Sequence, residues 1–247
     1  MYPSVVPALR QFLGHGEGDL NFMYLDNRQG ERKVTTGIGF LIDPLAACLE
    51  RHTSNRLPWY CGERLATEQE VRQEWEQVKS MQNFGRGQSG AMFQGRTNLN
   101  LRLRQPNIEA YFAQQAADYR QQLVTGSPKL AQFDTYPADA QMGVLALAWA
   151  VGAGGILATY NEFRTACFRR AWQAAANQSG WTSATAGRRA QVRQMFLNAD
   201  AIERQNNWDR ENRLPLSYDV ARVYFPQRVV VFTRPTTITA GGRAPGR

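Results

Sequence analysis

Residues 17–41 read EGDLNFMYLDNRQGERKVTTGIGFL, and the fold is decided by this stretch. Leu20, Phe22 and Tyr24 alternate with polar or smaller neighbours, Asp26-Asn27-Arg28-Gln29-Gly30 has the composition of a turn, and Val34, Thr36 and Ile38 alternate again. The pattern predicts a small antiparallel sheet. Just upstream, Val5 to Leu13 fits a short amphipathic helix, and the Gly14-His15-Gly16 run should stop it because glycine lowers helix propensity sharply. Glu17 then lies at the end of that helix, Asp26 at the turn after the first strand, and Thr35 at the start of the GIG-containing strand.

Two carboxylates and a hydroxyl are thereby brought to one small sheet. These residue types suit cleavage of a glycosidic bond. One acid must protonate the departing oxygen, and a second carboxylate must activate water or stabilise the oxocarbenium-like centre from the opposite face. Taken singly, each has a plainer reading: Glu17 as a solvated helix end, Asp26 as turn chemistry, Thr35 as a β-branched strand residue. His15, two residues before Glu17, reads as a solvated loop histidine.

Composition narrows the classes further. The chain has 247 residues, 43% hydrophobic and 11% aromatic, which is ample for a buried core and excludes general disorder. Lys and Arg number 29 against 21 acids, a net charge of +8, so an anionic partner is implied: nucleic acid, an acidic membrane surface or a cell-wall polymer. Five of those charges sit in Ala221 to Arg247, which holds five Arg and no acid, so the remainder is only mildly basic and no nucleic-acid-binding motif accompanies it. Cys48, Cys61 and Cys167 form no CxxC and read as free thiols, and two histidines cannot supply a His-rich metal site. Neither metal nor organic cofactor is called for. The N-terminus shows no signal peptide. Ala140 to Asn161 is a run of 22 uncharged residues, yet its glycines, Gln141 and Asn161 favour a buried helix ending near Gly152, followed by a Gly-Ala-Gly-Gly turn, over a membrane span.

Beyond Pro44 the pattern is helical throughout. Thr67 and Glu70 form a capping box opening a helix that carries Val71, Trp75, Val78 and Met81. Phe84 to Gly95 is a glycine-rich loop with the freedom of a mobile segment. After Pro106 a helix presents Ile108, Tyr111, Phe112, Ala116, Tyr119 and Leu123 on one face, Pro137 starts the uncharged helix, Thr159 to Asn177 reads as one more, and Ala186 to Ile202 as the last. Trp149 and Trp172 fall at core spacings rather than as sugar platforms. Past Trp208 a β-branched run, Val229-Val230-Val231, precedes a loose tail from Thr236 to Arg247.

With these residues on the page, the segment 17–41 resembles the catalytic region of bacteriophage-type lysozymes, in which Glu, eight residues, Asp, five residues and Thr precede Gly-x-Gly. Here the Glu17 to Asp26 interval is also eight residues, and the Asp26 to Thr35 interval is three longer, inside the Asn27 to Lys33 turn. The stretch AQMGVLALAWAVGAGG (residues 140–155) resembles that family's central buried helix, and AWQAAANQSGW with GRRAQVRQMF its closing helices. MYLD, ATEQE and Phe133 to Gln141 are similar to a bacterial branch found among type VI secretion effectors. The likeness covers roughly Val5 to Ile202. Two positions depart from it: Phe40 stands where the family often has His, and Trp149-Ala150-Val151-Gly152 replaces an Asn- or Gln-containing run.

The resemblance implies an α+β, mainly α, lysozyme-like fold in which a small N-terminal antiparallel sheet lobe and a helical lobe flank a substrate cleft. Residues 1–207 would form the catalytic domain, with a helical insert at about 44–135, and 208–247 a C-terminal extension with a basic tail. It implies a glycoside hydrolase, a muramidase cutting the β-1,4 bond between N-acetylmuramic acid and N-acetylglucosamine in peptidoglycan. Glu17 would be the acid, kept protonated by a partly apolar site, while Asp26 and Thr35 hold the water for an inverting attack. Arg188 or Arg189 would meet Glu17 or the substrate. A type VI effector would be made in the cytoplasm and delivered by a non-Sec route to a target periplasm, with a secretion component and an immunity protein as partners. A phage endolysin, a lytic transglycosylase using a single Glu, and a degenerate glycan-binding module are the alternatives.

Overall fold

A computed structural model describes residues 1–17, 19–26, 32–81, 90–182, 186–204 and 210–211, with the backbone alone for 15–17. The described chain is mainly helical with a small antiparallel sheet. The β-branched run and tail beyond Trp208, the turn at 27–31 and the first half of the glycine-rich loop, 84–89, lie outside the described residues.

Helix α1 spans Val5–Glu17 and buries Val5, Ala8, Leu9, Phe12 and Leu13, one stripe at three- and four-residue spacing. It does not stop at Leu13. A glycine costs a helix about 1 kcal/mol relative to alanine, a penalty that this buried stripe outweighs. Gly14 also leaves room for Arg10, whose guanidinium reaches Glu109 at 2.7 and 2.8 Å and Asp19 at 2.5 Å.

The sheet has β1 Leu20–Asp26, β2 Lys33–Gly37 and β3 Phe40–Leu41, antiparallel in that order. Alternation in β1 is not a sign of one open face, because Phe22, Met23, Tyr24 and Leu25 are all buried. The helical stretch expected after Pro44 is interrupted. Helix α2 (Leu45–Thr53) is followed by a hairpin, β4 Tyr60–Cys61 and β5 Arg64–Leu65, turned at Gly62 with φ +61° and bridged from Tyr60 to Arg102. Helix α3 (Glu68–Ser80) starts at the Thr67/Glu70 capping box and buries Val71, Trp75 and Val78, while Trp75 donates its indole N–H to the Ile42 carbonyl at 2.9 Å.

A single 3-10 turn, Gly90–Phe93, leads towards α4 (Gln105–Gly126), whose expected face packs on α5 (Ala138–Thr159). Helix α5 passes the length and composition test for a bilayer span, and in this fold Ala138 to Ala148 are buried among α1, α4 and α8. Gly152, at φ +77° and ψ 152°, breaks it as the sequence suggests, but the helix resumes and continues to Thr159 in place of a turn. The helix expected over Thr159 to Asn177 is two: α6 (Asn161–Phe168) and α7 (Trp172–Gln178). They part at Arg170, φ +53°, whose guanidinium is drawn to Glu203 and to Thr135, and the break swings Trp172 into the core against Tyr136. Helix α8 (Ala186–Arg204) closes the bundle against α5 and α7.

Candidate active site

Strand register sets the site. Tyr24 pairs with Thr35, Leu25 with Val34 and Asp26 with Lys33, so Tyr24, Asp26, Lys33 and Thr35 share one face. Asp26 is the diagonal neighbour of Thr35, a separation of about 7–8 Å between α-carbons in a regular ladder. On the other side Thr35 pairs with Leu41. Asp26 is half-buried, whereas Thr35 is only 4% exposed and its hydroxyl donates to the Lys33 carbonyl at 3.2 Å.

Towards its start, β1 is irregular. Leu20 faces Gly37 and Tyr24 faces Thr35, so Asn21, Phe22 and Met23 lie opposite Thr36 alone. Such a bulge bends the strand. Its polar groups are satisfied from two directions. The Thr36 hydroxyl is shared between the carbonyls of Phe22 (3.0 Å) and Leu20 (3.4 Å), and the Asn21 carbonyl accepts from the Leu103 N–H at 2.7 Å. Glu17 ends α1 three residues before β1 begins, and Asp26 ends β1, so the backbone path from one to the other runs through this bend. The side chain of Glu17 lies outside the described residues.

Of the two arginines the sequence leaves open, Arg188 turns towards α1. Its guanidinium carbon stands 5.8 Å from the ring centres of both Phe12 and Trp181, the residue is 9% exposed, and loss of solvent pulls its pKa down to about 10. It remains a cation at neutral pH. Phe12 precedes Glu17 by five residues, which is about 7.5 Å along a helix axis and about 140° around it. Arg189 points elsewhere: it donates to the Trp181 carbonyl at 3.4 Å and lines a shallow depression with Asn177, Ser179 and Arg193 between α7 and α8.

Both departures from the family pattern are packing positions. Phe40 is 3% exposed and meets Tyr111 edge-on at 4.8 Å and Trp149 at 5.9 Å, so it joins the sheet to α4 and α5. Ala150 is half-buried on α5. Trp149 is likewise half-buried within an aromatic cluster, and Trp172 is fully buried, as its spacing suggests. Sequence reasoning missed Tyr24, which sits directly across from Thr35, and the 3-10 turn at Gly90 that touches it. The MYLD motif contains the first, but only the register shows its partner, and nothing local announces the second.

His52 is structural. The Trp59 N–H donates to its Nδ1 at 3.2 Å, so the ring proton sits on Nε2, 3.0 Å from the Ala66 carbonyl. Cys48 and Cys167 are buried thiols and Cys61 is half-buried; burial pushes Cys48 up to about 12 and Cys167 upward as well. Among the described residues no three of His, Cys, Asp and Glu gather as metal ligands. No protein-family model and no curated protein matches the chain.

Proposed function

We propose that this chain is a peptidoglycan hydrolase of lysozyme-like fold, a muramidase that cleaves the β-1,4 bond between N-acetylmuramic acid and N-acetylglucosamine. The observation that carries the reading is the register placing Asp26 and Thr35 on one sheet face, joined through a bent strand to the helix that ends in Glu17. The resemblance of residues 17–41 to phage-type lysozymes supplies the roles. Glu17 delivers a proton to the departing oxygen, and Asp26, ionised, orients and activates water with the Thr35 hydroxyl. Arg188, a desolvated cation packed on Phe12 of α1, is by the same resemblance the group that would meet the Glu17 carboxylate or a polar group of the glycan. On the same resemblance the enzyme is an antibacterial type VI effector acting in a target periplasm.

The burial of Thr35 favours a second reading, in which the fold binds glycan without cutting it. Digestion of purified sacculi by wild type, Glu17→Gln and Asp26→Asn, with mass spectrometry of the soluble products, separates them. A muramidase releases muropeptides with reducing ends, and each variant loses about 10²–10⁴-fold in rate. Anhydro products retained in Asp26→Asn would instead indicate a transglycosylase. Sacculus binding without release, unchanged in Glu17→Gln, would establish the binding module.

A further inference from the structure

Arg32 is the last residue before β2, and its backbone stands at φ +45°, a left-handed conformation that few residues other than glycine adopt. Strain of that kind persists only where the surroundings hold it. Here the end of α3 does so reciprocally. The Arg32 guanidinium donates to the Met81 carbonyl at 2.8 Å and the Lys79 carbonyl at 3.4 Å, acceptors that the helix leaves over at its C-terminus, while the Lys79 ammonium donates to the Arg32 carbonyl at 2.8 Å.

Lys79 also pairs with Asp43, and the same Asp43 oxygen accepts from the Val34 N–H at 3.1 Å. The Arg32 carbonyl and the Val34 N–H belong to the two peptide groups on either side of Lys33. One ion pair therefore grips Lys33 from both sides, and Lys33 is the cross-strand partner of Asp26. Neighbouring bonds reinforce the grip: the Ile42 N–H donates to the Val34 carbonyl at 3.0 Å, and Trp75, one turn back on α3, holds the Ile42 carbonyl. Asp26 ends β1 beside a connection three residues longer than the lysozyme pattern. Closing a longer loop costs more chain entropy, so this end of the ladder gains from an anchor outside the hairpin.

We infer that Lys79 is a positioning residue for Asp26: through its pair with Asp43 it fixes Lys33, and with it the strand end that carries the water-activating carboxylate. This rests on the muramidase reading. In this role Lys79 contacts neither substrate nor reacting atoms, so its effect passes through Asp26 and vanishes once that carboxylate is gone.

The test is a double-mutant cycle on sacculi with wild type, Lys79→Met, Asp26→Asn and the double variant, alongside amide exchange of the folded proteins. Lys79→Met should slow muropeptide release about 10–100-fold in the wild-type background and no more than about twofold in Asp26→Asn, with exchange speeded at residues 25–26 and 32–35 and unchanged in α5 and α8. A loss of the same size in both backgrounds would mark Lys79 as merely structural and overturn the assignment, as would an active wild type whose rate Lys79→Met leaves intact. Both results leave the muramidase reading standing. Where Asp26→Asn releases too little to measure, exchange decides: a rate loss with faster exchange confined to the two strand ends supports the positioning role, and exchange that is unchanged or faster throughout the chain overturns it. If Lys79→Met does not fold, Asp43→Asn, which keeps an oxygen for the Val34 N–H but loses the attraction for Lys79, takes its place under the same criteria. If wild type cleaves no sacculi, the muramidase reading fails and the positioning role with it.

Discussion

Trp149 donates its indole N–H to the carbonyl of Ile38 across 2.8 Å, tying the middle of α5 to the tight turn that follows β2. Phe112 at 4.8 Å, Tyr119 edge-on at 5.7 Å and Phe40 flank the half-buried ring, and the accepting residue Ile38 is fully buried. Trp149→Phe keeps an aromatic ring but removes the donor and leaves the carbonyl of a fully buried residue unsatisfied. We expect a loss of about 1–3 kcal/mol, read as a lower denaturant midpoint with unchanged slope. An unchanged midpoint would mean that this bond does not join the sheet to the helices.

Two glycines on the same helix should respond in opposite directions. Gly152 adopts φ +77° and ψ 152°, a region that side chains rarely enter, although open space surrounds it. Gly152→Ala should therefore cost about 1–3 kcal/mol from backbone strain alone. Gly154 is exposed, meets nothing within 4 Å and has an ordinary backbone, so Gly154→Ala should be stabilising by about 0.4–1 kcal/mol. Thermal unfolding of both variants checks the pair, and destabilisation of equal size in each would refute the conformational account.

Elements specified by neighbouring residues were legible in the sequence. The capping box at Thr67 and Glu70, the apolar face of α4, the buried half of α5 and the approximate positions of β1 and β2 all follow from local spacing. What escaped depends on distant partners. Arg170 breaks a continuous helical pattern because Thr135 and Glu203 hold its guanidinium, and α1 runs through two glycines because its buried stripe is paid for by the whole core. The hairpin at Tyr60 needs Arg102 across from it. At the candidate site the residue types were legible, while the pairing of Thr35 with Tyr24 and the approach of Gly90 to the Tyr24 ring come from register and tertiary contact.

Glu74 gives a pH test with a defined sign. Burial raises its pKa, against the lowering effects of the Thr97 hydroxyl, the Leu101 N–H and Arg102. A carboxyl whose folded pKa lies above its unfolded value favours the folded state most when protonated, so its contribution declines as pH rises from about 4.5 through the raised value, then levels. Glu74→Gln keeps the acceptor oxygen and cannot titrate. The stability of Glu74→Gln relative to wild type should thus improve as pH rises across that window and stay flat above it. Denaturant titrations at several pH values would show this slope, and a difference that is constant or of opposite trend would contradict the assigned environment.

Arg188 and Arg189 are adjacent in sequence and face different surroundings, which makes them a matched pair for testing where the site lies. Arg188→Met retains length and loses charge. It forfeits two aromatic contacts worth about 0.5–2 kcal/mol each, but it also removes a charge that burial has stripped of solvent, and these effects oppose one another. The melting temperature should accordingly move by only a few degrees. If the cation acts at the end of α1 as proposed, sacculus hydrolysis falls by about 10²-fold with the fold retained. Arg189→Met, in the depression beside Asn177 and Arg193, should leave hydrolysis nearly unchanged. Equal losses in both variants, or a loss in Arg188→Met that only tracks its unfolding, would remove Arg188 from the site and leave it as a packing residue between Phe12 and Trp181.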